Sequence, residues 1–533
     1  MDELVADVVI VGFGAAGACA ALEAADAGAD VVIVERFAGG GASAVSGGVV
    51  YAGGGTRQQL DAGVDDTVDA MYEYLRLEAG DVVSEKTLRR FCEDSREMVT
   101  WLEGNGVPFE GSLCPYKTSY PSDEFYLYYS GSEAAGGFRD AAKPAPRGHR
   151  VKGPGTSGKM LMTRLAEAVR RREIRVLPQT RVRSLIHDDQ GGITGVVADS
   201  LRDAPASVKA RHRRLASYSA KPGIYVPALR KPLHRRVERL ERAHARELRI
   251  TARRGVILAA GGFIAHRAMV REHAPAYRGG LPLGTAADDG SGIRLGVEAG
   301  GATAELGRIS AWRFVTPPSA FLGGIIVDAG GRRIIDESRY GAAVGERLIE
   351  RHDSKGWLLV DAPIVAEARR DGTKQSQWFQ GLQLRYLLRR GRVVGATVEE
   401  AARKAGVDPP GLRASVEAYH GAEDPMGKPA EFARRLDNPP FSLIDVSVRP
   451  NLGYPTPMLT LGGLVVDEDT GAVRDAGGVP IKGLYAAGRT AVGICSRSYV
   501  SGLSLADCVF SGRRAGINSA LAQGVLDKNE NVF

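Results

Sequence analysis

The sequence is poor in cysteine and contains no long apolar run. Its five cysteines are scattered and form no CxxC pair, which argues against a disulfide framework and against a cysteine-bound metal. No apolar stretch approaches the ~20 residues that a membrane-spanning helix needs. The acidic start, Met1-Asp2-Glu3-Leu4, lacks the features of a secretory signal. These absences predict a reduced, cytoplasmic setting and no metal site.

The composition otherwise fits a globular protein, although its charge is unevenly placed. The 533 residues are 44% hydrophobic and 25% charged, which suffices for the cores of two or more domains. The net charge is +7, yet residues 201–254 alone hold 16 Lys and Arg against 4 Asp and Glu. The remainder is therefore slightly acidic, and the chain as a whole is not expected to bind nucleic acid.

The N-terminal segment combines two apolar runs, a glycine turn and an acid. The run Asp7–Val11 leads into Gly12-Phe13-Gly14-Ala15-Ala16-Gly17, and a second run, Asp30–Val34, ends at Glu35. Gly12 permits a tight turn, Gly14 lets a pyrophosphate approach the backbone, and Gly17 allows close helix packing. The helix N-terminus attracts phosphates, and Glu35 can accept hydrogen bonds from ribose hydroxyls. The segment therefore predicts a dinucleotide site.

The rest of the chain divides into a continuation of this domain and an insert. A glycine-rich loop, Gly39–Gly48, can lay backbone N–H groups along a ligand. From about residue 309 to residue 445, strand-like runs alternate with helices, which indicates a second domain. The predicted fold is α/β, with a Rossmann-like dinucleotide-binding domain in two parts (1–308 and 446–533) around an inserted α+β domain (309–445).

Several segments, spread over nearly the whole chain outside residues 201–254, resemble the FAD-containing fumarate reductase/succinate dehydrogenase flavoprotein class. They are the GxGxxG unit with Glu35, the loop Gly39–Gly48, and the stretches Leu258–Gly262, Asp289–Gly292, Leu461–Gly463 and Gly483–Gly488. The resemblance implies FAD rather than NAD, bound by a domain of the glutathione-reductase type that carries a catalytic or cap domain. One departure is Arg489, because many members have glutamate after the Ala-Gly pair.

The resemblance also implies which residues contact FAD. They are Gly12, Gly14, Ala15, Ala16, Gly17, Glu35, Arg36, Ala42, Ser43, Ser46, Gly47, Gly48, Val182, Ala260, Gly261, Asp289, Gly488, Arg489, Gly502, Ser504 and Leu505.

The segments that bind a dicarboxylate in fumarate reductases differ in this chain. The histidine of their His-Thr-Met-Gly-Gly motif is replaced by Leu459, and their C-terminal arginine is replaced by Tyr499. In contrast, Ser498–Asp507 and Tyr128–Glu133 closely resemble 3-ketosteroid Δ4-(5α)-dehydrogenases. This resemblance implies a 3-oxosteroid substrate and desaturation at C4–C5. A 3-ketosteroid Δ1-dehydrogenase, a fumarate-type reductase and a flavin-binding scaffold without turnover remain as alternatives.

Desaturation beside a ketone requires removal of an α proton and of a β hydride. We predict that the neutral phenol of Tyr499 stabilises the developing enolate. Ser501 takes the α proton and passes it to Tyr340, while the hydride goes to N5 of the flavin. In the segment Arg332–Tyr340, Arg339 would correspond to the catalytic arginine of the fumarate-type enzymes if the register slips by one residue, so this alternative stays open. His149 is predicted to be structural or cofactor-adjacent rather than a base.

The basic segment, residues 201–254, interrupts a predicted strand pair. Leu233, Val237, Leu240 and Leu248 recur at roughly helical spacing among arginines, and Pro222–Leu229 predicts a hairpin-like turn. Apolar residues amid positive charge suit an anionic membrane surface, whereas a solvated or oligomer-contact arm is an equal alternative. The predicted partners are thus a steroid, an electron acceptor of unknown identity and a membrane surface.

Overall fold

The computed structural model describes residues 2–220, 227–421 and 423–524. Its strands are β1 (Asp2–Val11), β2 (Val31–Val34), β3 (Val49–Tyr51), β4 (Leu127–Tyr128), β5 (Gly148–Arg150), β6 (Arg175–Leu177), β7 (Thr180–His187), β8 (Ile193–Ser200), β9 (Arg246–Leu258), β10 (Leu281–Pro282), β11 (Thr303–Ala304), β12 (Ile309–Ala311), β13 (Ile325–Val327), β14 (Trp357–Val360), β15 (Arg392–Gly395), β16 (Phe441–Asp445), β17 (Pro457–Thr460), β18 (Gly463–Leu464), β19 (Ala472–Arg474) and β20 (Pro480–Ala486).

Its α-helices are α1 (Ala15–Asp26), α2 (Gly41–Val45), α3 (Arg57–Asp61), α4 (Val68–Ala79), α5 (Glu85–Glu93), α6 (Ser95–Gly104), α7 (Gly136–Ala141), α8 (Gly158–Arg171), α9 (Ala206–Ala220), α10 (Pro227–His244), α11 (Arg267–His273), α12 (Ser291–Glu298), α13 (Gly341–Arg351), α14 (Ala362–Gln375), α15 (Trp378–Arg389), α16 (Val398–Ala405), α17 (Pro409–Tyr419) and α18 (Leu503–Leu521).

The central sheet has the order β19-β20-β9-β1-β2-β6, and β8 pairs with both β7 and β9. β1 runs parallel to β2 and β9, and the pairs β2–β6 and β9–β20 are also parallel. Every residue of β2 is buried, as expected for parallel strands that are covered on both faces. The predicted strand–turn–helix–strand unit and the α/β class are therefore confirmed.

Two helices rich in small residues, α1 and α18, pack against each other and contact this sheet. A Cβ atom on Gly512 would lie 2.5 Å from the backbone oxygen of Ala16, and one on Gly516 would lie 2.3 Å from that of Ala20. Glycine at these two positions therefore allows the helix backbones to touch. Helix α18 begins one residue before the predicted Ser504 and brings the C-terminal part of the chain onto the nucleotide-binding unit.

A second, antiparallel sheet has the order β13-β14-β16-β15. All four strands lie between residues 309 and 445, where the sequence predicts an inserted α+β domain. Strands such as β14 (Trp357–Val360) and helices such as α16 (Val398–Ala405) alternate there, as the sequence predicts. The residue boundaries of this domain stay a prediction.

The basic segment forms a helical hairpin, α9 and α10, which connects the antiparallel strands β8 and β9. We call these two helices the basic hairpin. The expectation that Leu248 continues the helix is wrong, because α10 ends at His244 and Leu248 lies in β9. The predicted turn is wrong at residues 227–229, where Pro227 begins α10 in a position that suits proline. Residues 222–226 of that turn lie outside the described residues.

None of the described helices is both long and apolar enough to span a bilayer.

Candidate active site

The turn after β1 has the geometry that the GxGxxG spacing predicts. Gly12 has a positive φ of 107°, and a Cβ atom there would lie 2.5 Å from the backbone oxygen of Ala259. A Cβ on Gly17 would lie 2.0 Å from the backbone oxygen of Gly12, so both positions require glycine. Helix α1 begins at Ala15 without a side-chain hydrogen bond from its N-cap, Gly14. This end of the helix can therefore attract an anionic ligand, although the Ala15 N–H is already bonded to the Ser43 hydroxyl.

The loop Gly39–Gly48 is not irregular throughout, because residues Gly41–Val45 form the short helix α2. The sequence analysis missed this helix, although two of its five residues, Ala42 and Ala44, are strong helix formers. Helix α2 presents the Ser43 hydroxyl, which accepts a hydrogen bond from the Ala15 backbone N–H at 3.1 Å. The loop and the start of α1 therefore form one wall of a cavity.

Most residues predicted to contact FAD line this one cavity, which we call the glycine-rich cavity. They are Gly12, Gly14, Ala15, Ala16, Glu35, Arg36, Ala42, Ser43, Ser46, Val182, Ala260, Gly261, Asp289, Arg489, Ser504 and Leu505. Gly17 instead supports the turn, and Gly488 lies close to Ala16 and Cys508. Gly47, Gly48 and Gly502 line the adjacent cavity described below. Individual FAD contacts stay predictions.

Glu35 is buried and is oriented by two backbone groups. Its Oε2 accepts the Phe13 N–H at 2.9 Å, and its Oε1 accepts the Phe37 N–H at 2.8 Å. Burial raises the pKa of this carboxyl, although both hydrogen bonds favour its charged form. Its place at the end of β2, in the cavity wall, is the place expected for a ribose partner. We call the part lined by Glu35, Arg36 and Asp289 the ribose end.

Arg489 lines the glycine-rich cavity and is paired with an acidic residue. Its Nη2 donates to Asp288 at 2.6 Å, and its buried Nη1 has no hydrogen-bond partner among the described residues. Buried donors rarely remain unpaired in folded proteins. A guanidinium and a helix N-terminus in one cavity fit a ligand rich in phosphate and carbonyl oxygens, such as a flavin dinucleotide.

A second cavity adjoins the first, and we call it the aromatic cavity. Its lining includes Trp312, Phe314, Tyr340, Phe379 and Tyr454. The two cavities contain about 1210 Å³ and 1460 Å³ of empty space, including their openings to solvent.

The two cavities share a wall that includes Tyr499 and Trp312. No charged side chain lines the aromatic cavity among the described residues. Unpaired ionic groups are costly in such an environment, so the arrangement favours an apolar, neutral ligand.

The predicted catalytic hydroxyls lie together where the two cavities meet. Tyr499, Ser501 and Tyr340 all line the aromatic cavity. The Tyr499 ring stacks on Trp312 at a centroid distance of 5.2 Å and lies 6.2 Å from the Tyr340 ring. Burial raises the pKa of Tyr499 and that of Tyr340, so both phenols stay neutral and can donate hydrogen bonds.

The sequence analysis did not assign a role to Tyr128, which contacts the predicted proton acceptor. The hydroxyls of Tyr128 and Ser501 lie 3.0 Å apart, and burial raises the pKa of Tyr128 well above its ordinary range. The available signal was the segment Tyr128–Glu133, which resembles ketosteroid dehydrogenases without revealing what Tyr128 touches. Trp312 and Phe314 were also missed, since nothing in their local sequence marks them.

Tyr340 and Arg339, the two neighbouring candidates, lie in different surroundings. Tyr340 lines the aromatic cavity, whereas the Arg339 guanidinium lies over the Phe138 ring at 5.1 Å. His149 is buried, and both of its ring nitrogens are hydrogen-bonded. Nε2 lies 2.7 Å from Thr56 Oγ1, and Nδ1 lies 3.1 Å from the Arg147 carbonyl oxygen. Burial lowers the pKa of His149 to about 4. These contacts agree with a structural role.

Comparison with known proteins identifies close relatives. A family model described as FAD binding domain matches residues 7–502. Over 504 residues the chain is 38% identical to the 3-oxo-5-alpha-steroid 4-dehydrogenase of Comamonas testosteroni, with 90% of this chain and 92% of that protein aligned.

Comparison with solved structures also finds ketosteroid dehydrogenases. The 3-ketosteroid-Δ4-(5α)-dehydrogenase of Rhodococcus jostii RHA1, in complex with 4-androstene-3,17-dione, matches with a TM-score of 0.80 and 30% identity over 98% of each chain. The 3-ketosteroid Δ1-dehydrogenase of Sterolibacterium denitrificans shares the fold, with a TM-score of 0.64 and 20% identity over 97% of this chain and 99% of that one.

These similarities confirm the predicted resemblance, and they confirm FAD rather than NAD as the cofactor. The chain belongs to the FAD-binding family of oxidoreductases and shares it with the 3-oxosteroid 4-dehydrogenases.

Proposed function

We propose that this enzyme removes two hydrogens from C4 and C5 of a 3-oxo-5α-steroid and forms a 4-ene-3-one. The observation that carries the proposal is the uncharged aromatic cavity, which meets the glycine-rich cavity at Tyr499. The relative of 38% identity is named for this activity. A dicarboxylate, the substrate of fumarate-type enzymes, would need the cationic side chains that this cavity lacks among the described residues.

The chain's own residues divide the chemistry between them. Tyr499 donates a hydrogen bond to the 3-carbonyl oxygen and stabilises the negative charge that develops there. The Ser501 hydroxyl accepts the proton from C4 while its own proton passes to the phenol oxygen of Tyr340, and the Tyr340 proton leaves to water through the opening of the aromatic cavity. Tyr128, whose hydroxyl lies 3.0 Å from that of Ser501, holds the serine oxygen in place. Bound FAD supplies the hydride-accepting chemistry for the C5 hydrogen.

The proposal is tested by mixing the oxidised holoenzyme with a 5α-3-ketosteroid in the absence of oxygen. We expect the flavin absorbance to bleach as the steroid is oxidised. The matched control is the same steroid with a 3-hydroxyl in place of the ketone, which provides no acidic α proton and should leave the flavin oxidised. Absence of bleaching with every saturated 3-ketone would contradict the proposal.

The product distinguishes this reaction from that of a second relative. The chain is also 27% identical to a 3-oxosteroid 1-dehydrogenase of Mycolicibacterium smegmatis over 568 aligned positions. We expect NMR of the product to place the new double bond at C4–C5. A double bond at C1–C2 would favour the Δ1 reaction instead.

We also propose that the outer face of the basic hairpin contacts an anionic membrane surface, where steroids accumulate. The exposed cations of the two helices include Arg211, Arg214, Arg235 and Arg239, and Tyr218 and Leu229 are exposed apolar side chains of the same helices.

The test is co-sedimentation with vesicles of anionic lipid, with neutral vesicles as the control. A variant with these four arginines changed to glutamine should lose the anionic-vesicle binding. Equal binding by variant and wild type would contradict this contact and favour a solvated or oligomer-contact arm.

A further inference from the structure

The inner face of the basic hairpin carries an ion pair to the ribose end of the glycine-rich cavity. Arg36 donates to Glu241 of α10 through both Nε (3.1 Å) and Nη2 (2.9 Å), and to Asp289 through Nη1 (3.2 Å). The Arg36 and Glu241 side chains are only 10% and 11% exposed. A two-point arginine–carboxylate pair that is this well shielded fixes geometry far better than a surface pair does.

His212 of α9 completes this contact from the other helix. Its Nδ1 lies 2.9 Å from Gln179 Nε2, which is a donor, and its Nε2 lies 3.1 Å from Glu241 Oε1. With Gln179 donating to Nδ1, the Nε2 of the ring donates to the Glu241 carboxylate. Burial alone would raise the pKa of the Glu241 carboxyl. The hydrogen bonds from His212 and Arg36 outweigh burial and lower this pKa to about 2. Glu241 is thus charged and fully engaged.

The same histidine supports the loop that carries Glu35. The His212 ring stacks on Phe37, with ring centroids 6.0 Å apart, and the Phe37 N–H donates to Glu35 Oε1. Arg230, near the start of α10, donates to the Gly284 carbonyl at 3.3 Å. That carbonyl lies next to the cavity-lining residue Thr285. Helix α10 therefore contacts two segments of the chain that line this cavity, one at Arg36 and one at Gly284.

We propose that the basic hairpin is a clamp on the ribose end of the FAD site. Glu241 acts as a positioning residue, because it holds Arg36 and, through His212 and Phe37, the loop that orients Glu35. When this clamp is intact, FAD leaves slowly. The proposal depends on FAD as the cofactor but not on the identity of the steroid.

The test is the rate of FAD release from the Glu241→Gln holoenzyme, followed by the rise in flavin fluorescence after dilution. We expect release about tenfold faster than in wild type, because loss of one partner of a buried charge pair acts mainly on dissociation. The matched control is Glu247→Gln, which removes a carboxylate of β9 paired with Arg183 and 41% exposed. Equal release rates in the two variants would overturn the proposal.

A double-mutant cycle with Arg36→Gln tests whether Glu241 acts through Arg36. We expect Glu241→Gln to add little in the Arg36→Gln background. A full additional effect there would overturn the assigned route. The thermal midpoint of the apoprotein separates this role from a structural one, since a lower apoprotein midpoint with unchanged FAD release would also overturn the clamp.

Discussion

The glycine-rich cavity and the aromatic cavity share a wall at Tyr499 but differ in what lines them. The first is formed by backbone N–H groups and by charged side chains such as Glu35, Arg36 and Asp289. The second is lined by aromatic rings, aliphatic side chains and hydroxyls, without a charge among the described residues. The comparison shows that charges and backbone dipoles are concentrated in one cavity, as an anionic cofactor requires, and that phenols and an alcohol line the other, as suits a neutral substrate.

The largest expected effect comes from removing the proton acceptor of the aromatic cavity. Ser501→Ala should slow flavin reduction by the steroid by about 10²–10⁴-fold, because a positioned acid–base group contributes that much. FAD should remain bound to the variant. Stopped-flow absorbance measures the rate of flavin reduction and also reports the bound flavin. The control is Ser498→Ala, whose hydroxyl instead donates to Glu78 at 2.9 Å. If both variants are reduced at the same rate, Ser501 does not take the proton.

Tyr499→Phe should have the next largest effect, since it removes the hydrogen bond to the steroid carbonyl. We expect kcat to fall about 10²–10³-fold, with the flavin spectrum retained. Steady-state kinetics measure the loss. Tyr116→Phe is the matched control, because the buried Tyr116 hydroxyl has no partner among the described residues. An unchanged kcat in Tyr499→Phe would show that the enolate is stabilised elsewhere.

In the glycine-rich cavity, Arg489→Gln should lower the affinity for FAD and leave the binding of the steroid unchanged. The change leaves the buried carboxylate of Asp288 without its 2.6 Å partner, so FAD affinity should fall by about 10–100-fold. Titration of the apoprotein with FAD measures this. Arg497→Gln, which breaks an exposed pair with Asp81, should leave FAD affinity unchanged. Equal affinities would contradict the role of Arg489.

A charge placed in the aromatic cavity tests why that cavity lacks one. Gln383→Glu keeps the side-chain shape at a lining position and should raise the steroid KM about tenfold at neutral pH. Burial raises the pKa of a carboxyl, so KM should recover in mildly acidic buffer as the new group becomes neutral. Gln190→Glu, on an exposed turn, is the control. A KM that does not depend on pH would contradict this explanation.

The smallest expected effect concerns the pH dependence of the wild-type enzyme, whose kcat should not fall in alkaline buffer. Burial raises the pKa of Tyr499 above its ordinary value of 10.0, so the phenol keeps its proton as the pH rises. The wild-type kcat should therefore stay level from about pH 7 to about pH 10. A decline in that range that disappears in Tyr499→Phe would show an ionising phenol and would remove the basis for its donor role.

The sequence predicted the glycine-rich cavity well, because its signals are local. The turn at Gly12, the helix after it and the acid at Glu35 lie within one short unit whose spacing has a physical reason. Of the aromatic cavity, the sequence predicted only those residues that lie in segments resembling known families, such as Tyr499 and Ser501. Trp312 and Tyr128 come from distant segments, and their packing depends on the folded chain.

The basic hairpin also shows that contacts between distant residues cannot be predicted from local sequence patterns. The helical spacing of Leu233, Val237 and Leu240 was informative, but nothing marked the end of α10 before Leu248. The pair between Arg36 and Glu241 joins residues 205 positions apart, so periodicity does not reveal it. The charge composition predicted contact with a membrane, whereas Glu241, one of the two acidic residues in these helices, makes an ion pair with the cofactor domain.

The touching backbones of α1 and α18 have a consequence for biosynthesis. The first helix of the nucleotide unit is made within the first 26 residues, but its partner spans residues 503–521. Ser504 and Leu505, at the start of that partner, line the FAD cavity. The flavin can therefore be captured in full only after nearly the entire polypeptide has left the ribosome, so loading with FAD is a late event in the making of this enzyme.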